Sequence, residues 1–74
     1  MNIPSINPQL RNIISGAVVD YVFVIHPKSD IADVECYIDD EWNQEETMKG
    51  MSVQNARDWW NKLVREGYER IMTP

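Results

Sequence analysis

Residues 31–40 alternate with a period of two. Ala32, Val34, Cys36 and Ile38 fall on one side, and Asp33, Glu35, Tyr37 and Asp39 on the other. Such a pattern fits only an extended strand with one face against a core and one toward water. Just before it, residues 17–26 (Ala-Val-Val-Asp-Tyr-Val-Phe-Val-Ile-His) are β-branched and aromatic, and His26-Pro27-Lys28-Ser29-Asp30 supplies turn chemistry between the two runs. An antiparallel β-hairpin is therefore the organising element. Its first strand has two apolar stripes. Val19, Tyr21, Phe23 and Ile25 form one; Val18, Val22 and Val24, interrupted by Asp20, form the other. That second stripe is either covered from within the chain or is a self-association surface, and on a small domain internal covering is the simpler expectation.

The flanking segments read as helical or irregular. Asn7-Pro8 resembles a helix start, Leu10, Ile13 and Ile14 follow at i, i+3, i+4, and Gly16 can supply a left-handed stop, so a short N-terminal helix is expected to lie over the second stripe. Residues 41–51 read as a polar loop enclosing Trp42. Ser52 can cap the next helix, in which Val53, Ala56, Trp60, Leu63 and Val64 share one side, Trp59 sits at its edge, and Arg57, Asp58, Asn61, Lys62 and Arg65 take the remainder. Gly67 ends this amphipathic helix and Tyr68 can fold back on Leu63; residues 68–72 fit a short third strand. The expected fold class is thus α+β, a single domain over residues 1–74: a short N-terminal helix, an antiparallel hairpin, and an amphipathic C-terminal helix packed on the sheet.

With 74 residues there is room for one domain, and such a chain buries only about 60% of the surface its unfolded form exposes. Small folds commonly add disulfides, a metal or a partner subunit. Cys36 is the single cysteine and His26 the single histidine, so neither an internal disulfide nor a zinc-type ligand set can form. No metal and no cofactor are expected, and oligomerisation or docking remains as the added support. A lone cysteine on the apolar side of a strand suits a reducing compartment. The N-terminal residues lack the pattern of a secretory signal, and no apolar run spans a bilayer, so a soluble cytoplasmic protein is expected.

Charge is unevenly distributed. Between Asp30 and Glu46 there are eight carboxylates and no Lys or Arg, whereas Lys49, Arg57, Lys62, Arg65 and Arg70 lie beyond; the net charge is −5. That balance disfavours direct binding to nucleic-acid phosphates and polybasic membrane contact. It suits a partner with a basic face, although a merely solvated acidic edge would read the same way. No catalytic set is legible. Asp39, Asp40 and Glu41 lack the burial that tunes one carboxyl against another, Ser29 and His26 lack a third group, and a thiol buried among acids is deactivated. The stretch from Asp39 to Glu46 also lacks the ligand spacing of a calcium loop.

The aromatic residues are the stronger lead. Trp42 lies among carboxylates, as an interface anchor with a charged rim does, although packing under the helix is the simpler expectation because a small core needs large side chains; Trp59 at the stripe's edge either covers the core or meets a partner. Asp39, Asp40, Glu41, Trp42, Glu45, Glu46 and Trp59 are therefore the candidate partner-binding residues, and Val18, Val22 and Val24 the candidate self-association residues. The leading expectation is a non-enzymatic acidic interaction module docking on a larger protein with a basic patch. Alternatives are a phage-type decoy that imitates nucleic acid to inhibit a host or defence protein and, disfavoured, a small enzyme or ligand-binding subunit.

The stretch from Met51 to Tyr68 resembles the C-terminal part of small uncharacterised proteins of cyanobacteria and their phages, in which a pattern like A-R-x-x-W-x-x-L-x-x-x-G-[WY] follows a β-hairpin. Ala56, Arg57, Trp60, Leu63, Gly67 and Tyr68 carry it, about a quarter of the chain. The resemblance implies a ββα(β) topology and transfers no functional residue.

Overall fold

The structure, a computed structural model, describes residues 8–26 and 28–71. Five strands and one helix follow in order: β1 (Gln9–Ile14), β2 (Ala17–His26), β3 (Ile31–Ile38), β4 (Glu41–Ser52), α1 (Val53–Arg65) and β5 (Glu69–Ile71). The strands form one antiparallel sheet in the order β4-β3-β2-β1-β5, so α1 carries the chain across one face from one edge strand to the other.

This corrects the expected architecture at both ends of the hairpin. There is no helix over residues 9–14; that segment is β1, paired with β2 from Gln9↔Val22 to Ile14↔Ala17. Asn7, the expected cap, lies outside the described residues. The reason is the turn. Ser15 and Gly16 both have positive φ (52° and 83°), the signature of the type I′ two-residue turn whose twist matches that of paired strands. Gly16 thus closes a hairpin rather than a helix, and β-branched Ile13 and Ile14 gain a full-length strand to pair with.

The expected polar loop over residues 41–51 is also a strand. Asp39 and Asp40 (φ 51° and 67°) make a second turn of the same type, and β4 runs back along β3 as the sheet's edge. Its polar sequence suits an edge, where charges discourage pairing with other chains. β4 is not regular. Between Cys36↔Asn43 and Val34↔Met48 it advances five residues against two on β3, and between Val34↔Met48 and Ala32↔Met51 three against two. These bulges hide the period of two that would have revealed the strand.

The hairpin of β2 and β3 and the C-terminal helix are present, and residues 69–71 are a strand, β5, paired with β1. The core lies between the sheet and α1: Leu10, Tyr21, Phe23, Ala32, Val34 and Cys36 from the strands meet Ala56 and Leu63 from the helix, with Tyr68 closing one end. Val64, expected in that layer, is exposed. Ser52 Oγ accepts the Asn55 N–H at 3.1 Å as the helix N-cap. At the other end the Tyr68 N–H donates to the Leu63 carbonyl at 3.0 Å around Gly67 (φ 105°). Ser52→Ala should cost about 1 kcal/mol in denaturant unfolding, while Ser52→Asp, which keeps the acceptor, should cost little. Equal losses for the two would contradict the capping role.

Candidate functional site

One face of the sheet is covered by α1. On the other, no described element packs, and the strand registers place a single row of side chains across all five strands: Trp42 opposite Tyr37, Tyr37 opposite Asp20, Asp20 opposite Arg11, and Arg11 opposite Glu69. The row changes character along its length, aromatic at the β4 edge and charged toward β5. Arg11 grips Asp20 with two parallel hydrogen bonds, Nε to Oδ1 at 2.6 Å and Nη2 to Oδ2 at 2.9 Å. Asp20 is only 3% exposed, so this pair keeps a charge satisfied beneath the surface of the face. Beside the row, the Tyr37 hydroxyl donates to Glu35 Oε1 at 3.2 Å, and burial, reinforced by that carboxylate, raises the phenol's pKa.

Val18, Val22 and Val24 project from β2 onto this same face and are half-buried there by their neighbours. The N-terminal helix expected to cover them does not exist, because its residues are spent on β1 in the plane of the sheet. The stripe is therefore open as far as the described residues go, and it adjoins the row that ends on Trp42.

Trp42 is 51% exposed. Its ring stands at the start of the edge strand β4, with Lys49 Nζ 5.9 Å from the ring centroid. The expected acidic residues do not all share its face: Glu41 pairs with Ile38, on the parity of the core side, and Glu46 adds to burial in raising the pKa values of Tyr21, Cys36 and Tyr68, which lie on the helix side. Asp39 is a structural anchor: its Oδ1 accepts the Val18 N–H at 3.0 Å, and its own N–H donates to the Val18 carbonyl at 2.8 Å, tying the turn to β2. Asp40 and Glu41 are exposed beside it, while Glu45 and Glu46 ride on the bulge. That bulge is held from within. Asn43 Oδ1 accepts the Glu46 N–H at 3.1 Å, and Thr47 Oγ1 donates to the Asn43 carbonyl at 2.7 Å while accepting the Cys36 N–H at 3.1 Å. Asp40, Glu41, Glu45 and Glu46 make no ion pair among the described residues.

Trp59 is elsewhere. It lies in the helix layer, edge-on to Tyr21 at 6.2 Å with Lys62 Nζ 4.7 Å from its ring centroid, so the sheet separates it from Trp42. One surface cannot use both. Sequence reasoning missed Arg11, Tyr37 and Lys49 as neighbours of the candidate site. A usable signal was Asp20 itself, since a carboxylate inside an apolar strand needs a cation on the strand beside it.

Other chemistry is quiet. Among the described residues no group of three or more His, Cys, Asp or Glu side chains is placed to hold a metal ion. Cys36 is 1% exposed, and burial pushes its thiol pKa up. His26 Nε2 lies 3.0 Å from Asp33 Oδ2, and Asp33 Oδ1 accepts the Gly50 N–H at 2.9 Å. The Gly50 N–H and then His26 hold Asp33 below the usual carboxylate range, a role that fixes β4 onto β3. No described helix is long and apolar enough to cross a membrane. No family model, no curated protein and no solved structure matches the chain.

Proposed function

We propose that this protein is an interaction module that docks on a basic surface of a larger protein through the β3–β4 hairpin and the open face of its sheet. The observation that carries this reading is Trp42: a large ring, half exposed, on a strand edge whose carboxylates form no ion pair among the described residues. A ring of that size left in water is the usual form of an anchor that fills a pocket, and Asp40, at the adjoining turn, and Glu45, on the bulge, supply the carboxylates that meet Lys or Arg. Glu41 and Glu46, toward the helix side, stand outside this contact. Asp39 belongs to the scaffold of the turn. Tyr37 and the valine stripe extend the contact along the face. Trp59 has no part in it.

The test compares the wild-type protein and Trp42→Ala as baits in a lysate of the cell that makes it, washed at about 0.5 M salt, where surface charge alone is screened. Trp42→Ala should melt with the wild type to within about 0.5 kcal/mol, because the ring is at the surface. It should lose a protein with a basic face that the wild type retains. Capture of the same proteins by both baits, or capture only of nucleic-acid-binding proteins that salt and added DNA displace, would contradict the reading; the second result would indicate a nucleic-acid mimic.

A further inference from the structure

The helix side of the molecule holds a cleft that the docking surface does not use. It lies between the N-terminal half of α1, the end of β2 and β5, with Pro8 at its side and a volume of about 400 Å³, within the range of small-molecule sites. Phe23 and Ile25 of β2 line its floor, and Ala56 and Trp60 of α1 its wall; Phe23 and Trp60 meet edge to face at 5.1 Å, which stiffens the corner. Ile25 is 40% exposed, an apolar side chain presented to the opening. Two guanidiniums also line the cleft, Arg57 from the helix and Arg70 from β5. In a chain of net charge −5, neither forms an ion pair with any described carboxylate.

Among the described residues, the cleft is apolar with two guanidiniums free of ion pairs and no carboxylate in its lining, which fits one kind of occupant. We infer that the cleft binds a small amphipathic carboxylate, its hydrocarbon or aryl body against Phe23, Ile25 and Trp60 and its carboxylate between Arg57 and Arg70. Guanidinium forks recognise a carboxylate through paired, charge-assisted hydrogen bonds, and the low polarity of the floor strengthens them. The apolar contacts supply affinity and the arginines supply selection for the anion. No part of the site is shared with Trp42, so the two surfaces are independent.

An amide and indole N–H NMR titration with octanoate, with octanol as the uncharged control, tests this on the whole protein. Octanoate should give saturable shifts centred on Phe23, Ile25, Ala56 and the Trp60 indole N–H. Octanol should bind about tenfold more weakly, the worth of a charge-assisted contact. Arg57→Gln and Arg70→Gln, both exposed and expected to melt as the wild type does, should each weaken octanoate about fivefold without changing octanol. Trp42→Ala should leave the titration unaltered, which separates this site from the docking surface. Equal binding of octanoate and octanol, or absence of saturable shifts at the cleft, would overturn the inference. So would cleft shifts that depend on protein concentration alone, indicating a second copy, or contacts between residues 1–7 and Phe23 that octanoate fails to displace.

Discussion

Leu63→Ala should remove about 3 kcal/mol and lower the melting midpoint by about 15 °C, the largest loss expected of any single truncation in the helix. A chain of this size has about 4–11 kcal/mol of stability in total, so the variant is close to the point of unfolding. The magnitude follows from how little holds α1 down. Only Ala56 and Leu63 of the helix are buried, both at 2% exposure, with Trp59 and Trp60 packed partly against the core. Leu63 alone supplies a large, fully covered aliphatic group, and it also anchors the chain reversal through its carbonyl to Tyr68. Val64, its neighbour, is 47% exposed, and Val64→Ala should cost less than about 0.5 kcal/mol. Urea unfolding of the two variants side by side checks the helix orientation: comparable losses would mean that the helix is rotated from the position described.

Arg11→Met should destabilise the protein far more than truncation of a half-exposed surface side chain ordinarily does, with a fall in melting midpoint of about 10 °C or more. The cost arises at Asp20, whose carboxylate would remain 3% exposed with both of its cationic hydrogen bonds gone. Adding Asp20→Leu should restore most of the lost stability, because an apolar pair on this face needs no compensating charge and would extend the stripe of Val18 and Val22. A double-mutant cycle read by thermal melting therefore shows strong coupling with opposite signs for the two steps. Simple addition of two losses would mean that Arg11 and Asp20 do not form the bidentate pair.

The parts of the fold that were legible in the sequence are those in which one residue pattern admits one structure. Ala32, Val34, Cys36 and Ile38 alternate without interruption, and β3 is a half-buried strand in consequence. Ser52, Gly67 and Tyr68 carry cap and stop chemistry, and α1 begins and ends at them. The N-terminal segment is ambiguous in sequence because Leu10, Ile13 and Ile14 satisfy a helical spacing as well as a short strand; the deciding feature is Ser15-Gly16, two residues that complete a type I′ turn between apolar runs. β4 was hidden by its bulges, which break the alternation of period two, and by the acidic residues that an edge strand tolerates.

Trp42 and its carboxylates adjoin one another in the chain, so that group could be proposed from sequence. The row from Trp42 to Glu69 depends on four strand registers, and the cleft joins Phe23, Arg57 and Arg70 from three separate elements. Neither has a local signature. Trp59 shows the converse. As a candidate contact it suggests one surface with Trp42, yet it packs with Trp60 on the helix side while Trp42 pairs with Tyr37 on the other face.

The docking claim is tested most directly by the binding kinetics of the captured basic partner with the wild type, with Trp42→Ala, and with an Asp40→Asn/Glu45→Gln variant, at two salt concentrations. Trp42→Ala should bind about 30-fold more weakly or worse, chiefly through faster dissociation at either salt. The carboxamide variant should associate more slowly at low salt and converge with the wild type at high salt. Unchanged dissociation of Trp42→Ala, together with loss of binding on removal of the carboxylates, would contradict an aromatic anchor and leave the charge alone as the basis of recognition.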